Sequence, residues 1–248
     1  MTNNPSTQPP ISMVLLAFNE AEVIESVVRD FHTKVVAQIP GSELIVAEDG
    51  STDETPAILH RLQQELPGLR LEQQKERRGY VNAFKTAMSY PKNDIIVFCD
   101  SSGKHDAEDF WAMYPLMQDH ELVMGYKVNR ADPFYRLILA RGFNFMVNSY
   151  FGVAFRDIDC PLRLFQRSAF QDIASQAWHE RALVNFELTL RFHFRGYRIA
   201  QVPVSHRARQ HGESRGLPLK KIPRVIMNVL RNFAVLKKEL SAPGYRRT

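Results

Sequence analysis

The sequence predicts an α/β protein built on a mostly parallel, twisted sheet flanked by helices, a Rossmann-like arrangement, and three observations predict it. Short apolar runs that read as buried strands occur at residues 12–18 (SMVLLAF), 43–47 (ELIVA) and 94–99 (DIIVFC). Helix-length segments separate them, as right-handed crossovers between parallel strands require. Each run ends in a polar cluster: Phe18-Asn19-Glu20, Glu48-Asp49-Gly50-Ser51 and Asp100-Ser101-Ser102. Ligands of such sheets collect beyond the carboxyl ends of the strands, so the three clusters are expected to meet in one site.

The elements follow in order. Asn19 with Glu22 forms an N-x-x-E helix start, opening a periodic stretch to about residue 39. Ser51 with Glu54 repeats the signature before a helix that reaches about residue 66. Residues 69–74 read as a weaker strand and 79–90 as a helix. In the second half, strands are expected at 122–127, 162–165 and 197–204, and helices at 134–151, after a Ser168–Gln171 capping pair, and at 183–195. Over 223–240, Ile226, Val229, Leu230 and Phe233 follow helical spacing, Leu236 and Leu240 extend the stripe, and Arg224, Arg231, Lys237 and Lys238 interrupt it. Pro223 suits a first helical turn. The stripe can pack on the domain core or lie among lipid headgroups. The organisation expected is a flexible start at 1–10, one α/β domain at 11–216, and a basic amphipathic helix with its tail at 217–248.

Composition narrows the classes. A chain of 248 residues with 44% hydrophobic and 24% charged residues holds one large domain and is not disordered. The net charge of +5 suits an anionic ligand or membrane and is too small to argue for nucleic acid. Two cysteines, Cys99 and Cys160, exclude a disulfide scaffold and a cysteine zinc site. Residues 1–10 have neither a basic start nor an apolar core, and the longest charge-free stretch, 142–155, contains Asn144, Asn148 and Gly152. No signal peptide or spanning helix is expected, and the chain is placed in the cytoplasm.

Several residues suggest chemistry. Asp49, at a strand end, is an acceptor suited to nucleobase N–H groups or ribose hydroxyls; the same EDGSTD stretch also reads as a plain strand-to-helix turn. Asp100 closes a strongly apolar strand, where a carboxylate suits a hard divalent cation or serves the turn alone. The loop 206–215 (HRARQHGESR) packs Arg207, Arg209 and Arg215 with two histidines, Gly212 and Ser214 into ten residues. It reads as a phosphate cradle, and no aromatic residue interleaves it as a nucleic-acid site would need.

In order, the stretches LLAFNEAEVI (15–24), IVAEDGSTDET (45–55), RRGYVNAFKTAM (77–88), IIVFCDSSGKHDAED (95–109), FNFMVNSYFGVAFRDIDCPLRLF (143–165), FELTLRFHFRGYRIAQVPV (186–204) and RQHGESR (209–215) resemble family-2 glycosyltransferases of the GT-A fold. The resemblance spans about residues 11–216 and is strongest to the dolichyl-phosphate mannose synthase and polyprenyl-phosphate glycosyltransferase branch. It implies a donor nucleotide site of Ala17, Phe18, Glu20, Glu48, Asp49, Arg78, Asp100, Ser101, Ser102 and Lys104. Asp157, Arg163, Arg209, Ser214 and Arg215 would face the acceptor phosphate and sugar, with Asp100 and Arg209 catalytic. Two departures bear on the metal: Ser102 stands where the family's D-x-D element has its second acid, and Lys104 where a further metal-holding residue often stands. Mg2+ or Mn2+ at Asp100 is therefore expected to bind weakly or conditionally. Lys104 would neutralise the diphosphate directly, or else point into solvent. Pro161 replaces a common glycine, and Tyr80-Val81 a common Lys-Gly. The implied activity is inverting transfer of a hexose from a GDP- or UDP-linked sugar to a polyprenyl phosphate, by a protein peripheral to the inner face of a membrane. Transfer to a sugar hydroxyl, with Asp157 or Asp159 as base, and a catalytically silent nucleotide-sugar-binding module remain the alternatives. The sequence does not specify the oligomeric state.

Overall fold

The computed structural model describes residues 8–176, 178–179, 184–208 and 222–246. The order is β1 (Ile11–Ala17), α1 (Ile24–Lys34), β2 (Glu43–Glu48), α2 (Thr55–Glu65), β3 (Leu69–Gln73), α3 (Tyr80–Ala87) and β4 (Ile95–Asp100). Then come α4 (Phe110–Met113), flanked by 3-10 turns, β5 (Leu122–Val128), α5 (Phe134–Phe151), β6 (Arg163–Gln166), α6 (Arg167–Ala174), α7 (Val184–Arg195), β7 (Ile199–Ser205) and α8 (Ile222–Leu240). The strands form one seven-stranded sheet in the order β3-β2-β1-β4-β6-β5-β7. Only β6 runs antiparallel to its neighbours β4 and β5, so the carboxyl ends of β1, β2, β4 and β5 share one edge.

Alternation along the strands divides the core into two layers. Val14 and Leu16 of β1 join Phe84, Phe98, Phe165, Phe186 and Phe192 on the face covered by α3 and α5 to α8. Met13, Leu15 and Ala17 face the other layer, with Val28, Phe31, Leu59 and Phe110. Val229, Phe233, Leu236 and Leu240 of α8 are buried, so core packing accounts for those four positions of the stripe, while Leu230 of the same helix is exposed. Its Glu239 accepts from Arg191, which also bonds Glu187 on the adjoining helix turn, both of them with fully buried side chains.

Three expected capping pairs are corrected. Helix α1 starts at Ile24, α2 at Thr55 and α6 at Arg167, each without a side-chain cap bond from its N-cap residue. Asn19 and Ser51 bond to each other's loops instead: Asn19 N–H donates to Ser51 Oγ at 2.7 Å, and Thr52 N–H to Asn19 Oδ1 at 2.7 Å. Such side chains compete for any nearby backbone partner, and here the neighbouring loop is closer than the helix start. The left-handed backbone of Asn19 (φ 52°) turns its amide across that gap.

Candidate active site

Strand register assembles the site. Leu16 lies opposite Asp100 on one side of β1, while Ala17 lies opposite Glu48 on the other. Asp49 N–H donates to Ala17 O at 2.9 Å and Ser101 Oγ to Leu16 O at 2.9 Å, which ties all three strand ends together. The carboxylate of Asp49 is nearly buried and accepts from the N–H groups of Arg78 (2.8 Å) and Gly79 (3.0 Å). It thereby holds the 77–79 loop over the site, and Arg77 lies 4.0 Å above the ring of Phe18. Gly50 permits this closeness: at φ +69° its added Cβ would stand 2.5 Å from the carbonyl carbon of Glu76. Glu20 N–H donates to Thr55 Oγ1 at 2.8 Å, extending the same rim. Glu48 bonds Ser51 N–H through one oxygen, and its other oxygen is buried with no hydrogen-bond partner.

Asp100 is half-buried and accepts from the Ser102 hydroxyl at 2.7 Å. Cys99 Sγ, Asp100 and His105 offer ligand atoms within 4.8 Å of one another. Burial, opposed mainly by the nearby Asp100 charge, depresses the His105 pKa to about 4. Its imidazole is therefore neutral at neutral pH, the metal-ligating form. Its Nδ1 is buried without a partner. Burial pushes the Cys99 thiol up, so Cys99 stays protonated in the core. Asp100 and His105 thus fit a cation of borderline hardness as an oxygen and nitrogen pair.

Beside this lies a small cleft lined by Lys127, Arg130, Phe143, Asn144, Asp157 and Asp159, among others. Asp157 stands 3.3 Å from Lys127 Nζ and 3.8 Å from Arg130. Arg130 also bonds Asp132 at 2.7 Å. Lys104 is 3.7 Å from Asp132, with a side chain only 18% exposed, which corrects the alternative that it points into solvent. His206 accepts from Ala131 N–H at 3.3 Å and faces Asp132 at 3.8 Å. Burial is the main cause that raises the Asp159 carboxyl to about 6.

Arg163 is a correction. Its side chain is fully buried and donates to the carbonyls of Cys160 (2.6 Å), Asn185 (3.1 Å) and Ile158 (2.5 Å) and to Thr189 Oγ1 (2.6 Å). It braces the 158–160 turn beneath the cleft and does not face an acceptor. A basic residue on an apolar strand is read from sequence as a ligand because burial of its fork is invisible there. Arg209, Ser214 and Arg215 lie outside the described residues. Sequence reasoning missed His105, although it directly follows Lys104 in the Asp100 loop. It also missed Lys127 and Arg130, which the carboxyl-end rule would have found had it been applied to β5.

The Asp159 shift has a measurable consequence. Its folded pKa lies above the unfolded value of 3.8, so the folded state binds the extra proton between about pH 4 and 6, and stability falls as pH rises through that window. Asp159→Asn should raise the melting temperature at pH 7.5 by a few degrees, at roughly 2–4 °C per kcal/mol for this chain length. The gain should vanish near pH 4. Thermal melts of both proteins at the two pH values check this.

A seven-stranded, mostly parallel sheet with acidic groups at its carboxyl edge is a fold of the GT-A type. A family profile described as "Glycosyl transferase family 2" matches residues 12–174, and the chain belongs to that family. Among similar proteins, the glycosyltransferase AglD of Haloferax volcanii is 29% identical over 78% of this chain, which spans only 32% of that protein's length. A dodecaprenyl-phosphate galacturonate synthase of Rhizobium johnstonii is 25% identical, covering 92% of this chain and 68% of its own. A dolichyl-phosphate hexose transferase of Haloferax volcanii is 28% identical, covering 80% and 83%. The fold also matches glucosyl-3-phosphoglycerate synthase of Mycobacterium tuberculosis, solved with Mn2+, uridine diphosphate and glucosyl-3-phosphoglycerate. That match has a TM-score of 0.69 at 21% identity and covers 93% of this chain and 82% of the other.

Proposed function

We propose that this chain transfers a hexose, with inversion, from a nucleotide diphosphate sugar to a polyprenyl phosphate at a membrane surface. One observation carries the reading: His105, beside Asp100 at the end of β4, also feels the charges of Lys127 and Asp157, so the Asp100 loop adjoins the cleft that Lys127, Arg130, Asp157 and Asp159 line. The names of the relatives support a lipid-phosphate acceptor. Ala17, Phe18, Glu20, Glu48, Asp49 and Arg78 would surround the base and ribose, and Asp100, Ser101, Ser102 and Lys104 the diphosphate.

An acceptor phosphate has its second pKa near about 6 and is already largely ionised at neutral pH, so its oxygen attacks the anomeric carbon without a protein base. Lys127 and Arg130 hold and orient that phosphate, and Asp157 fixes the two cations in place. Asp100 and His105 would hold a divalent cation, which when bound offsets the charge of the departing nucleotide diphosphate. Lys104, beside Asp132, adds positive charge to the same wall.

Transfer of labelled sugar from uridine and guanosine donors should reach undecaprenyl phosphate and not a neutral oligosaccharide. Lys127→Gln should raise the KM for the lipid about tenfold, on the scale of one charge-assisted bond, and leave donor binding unchanged. Label on the oligosaccharide alone would overturn the assignment. A second reading has its own support: a sugar hydroxyl acceptor needs a base, and Asp159, held near 6, sits in the cleft. Loss of transfer in Asp159→Asn would favour it; a rate within about threefold favours the phosphate acceptor.

A further inference from the structure

Helix α5 is apolar on nearly every side, yet only one half of it meets the protein. Val147 and Phe151 are buried, and Asn144 and Asn148 bond the carbonyl of Phe155. The opposite half presents Phe134 (76% exposed), Ile138 (54%), Leu139 (40%) and Phe145 (74%) to solvent. Phe134, Ile138 and Phe145 fall within one stripe by helical spacing. The exposed Arg141 shares that stripe, between Ile138 and Phe145, and an exposed apolar face of this size marks a contact surface.

Charge selects the occupant. Helix α5 contains Arg136 and Arg141 and no acidic residue. At its carboxyl end, Lys237 of α8 donates to Tyr150 O at 2.6 Å and lies 4.6 Å from the Tyr150 ring. The one acid of α8, Glu239, is engaged by Arg191 and His179. Large apolar side chains flanked by cations, with no free acid, match the interfacial layer of an anionic bilayer. No helix among the described residues is long and apolar enough to cross a membrane.

We propose that the exposed half of α5, and not the stripe of α8, is the surface that seats this protein on an anionic lipid bilayer. The choice of a lipid occupant rests on the acceptor reading above. Ala140, Phe143 and Asn144 on the inner side of the same helix line the cleft that holds Lys127 and Arg130, so this seat brings the cleft within one helix of the bilayer surface. A lipid-borne phosphate then enters from the bilayer while its chain stays among the acyl tails.

The test is sedimentation of the full chain with vesicles of phosphatidylcholine and phosphatidylglycerol, containing no prenyl phosphate. Wild type should co-sediment, and less so with phosphatidylcholine alone. The triple variant Phe134→Ser, Ile138→Ser, Phe145→Ser should lose binding at least about tenfold, given roughly 0.8 kcal/mol per buried methylene. Its melting temperature should hold, because none of the three side chains is in the core. Met227→Ser with Leu230→Ser on α8 should change binding less. Unchanged sedimentation of the α5 variant overturns the proposal, as does wild type that ignores anionic vesicles. So does a wild-type dimer that the α5 variant converts to a monomer, which would assign this face to a second copy. The vesicle readout needs no turnover. A chain that binds vesicles but transfers no sugar would fail only the functional reading. In a competent enzyme, transfer to a water-soluble short-chain prenyl phosphate should survive the α5 substitutions.

Discussion

Asp100→Ala is expected to lower sugar transfer by a factor of about 10²–10³, the scale of losing one preorganised electrostatic group at a departing charge. The protein should remain folded, because Asp100 is half-buried and its hydrogen bonds are local ones to Ser102. Two measurements check this: kcat with saturating donor, and the melting temperature with and without Mn2+. Wild type should gain stability when nucleotide diphosphate and Mn2+ are added together, as any ligand specific to the folded state provides. The variant should lose the Mn2+-dependent part of that gain. A variant that keeps wild-type turnover would remove Asp100 from the reaction.

The largest loss of stability should come from Arg163→Met. The substitution keeps most of the volume but removes the guanidinium donors to the buried carbonyls of Ile158, Cys160 and Asn185, leaving Thr189 Oγ1 on Ile158 and Asn185 alone. Leaving a buried carbonyl short of its donor costs about 1–3 kcal/mol, and the losses together should lower the melting temperature by roughly 10 °C. Below the transition, donor binding should be close to normal, since the 158–160 turn is not among the residues proposed to surround the base. An unchanged melting temperature together with a raised acceptor KM would restore Arg163 to the acceptor side.

The parallel half of the sheet was legible because fully buried strands leave uninterrupted apolar runs, and the runs ending at Phe18, Ala47 and Cys99 are of that kind. Their polar ends pointed to Asp49 and Asp100, and the register brings both to one edge. Other features are set by partners distant in sequence. Asn19 and Ser51 carry helix-start chemistry in their own segments, but their partners come from a loop about thirty residues away. Nothing local to Arg163 reports that α7 supplies Thr189 and the Asn185 carbonyl to enclose it. The stripe on α8 has the same periodicity whether it meets a core or a lipid, and contact with Phe151 and Phe186 is what resolves it. The apolar outer half of α5 was hidden for the converse reason: apolar residues on all sides of a helix leave no polar face to betray which half stays uncovered.

The ties around the proposed donor rim also decide how an oxyanion can be met there. The main-chain N–H groups of Asn19, Glu20, Ser51, Thr52, Arg78 and Gly79 all point to protein oxygens. A glycine-rich phosphate-binding loop works by leaving such amides vacant as a concave nest, and this rim has filled them. An oxyanion that met this rim would therefore have to be answered by ammonium, guanidinium or a metal ion. That requirement makes recognition here sensitive to ionic strength and to divalent supply, where a nest of amides would be indifferent to the second.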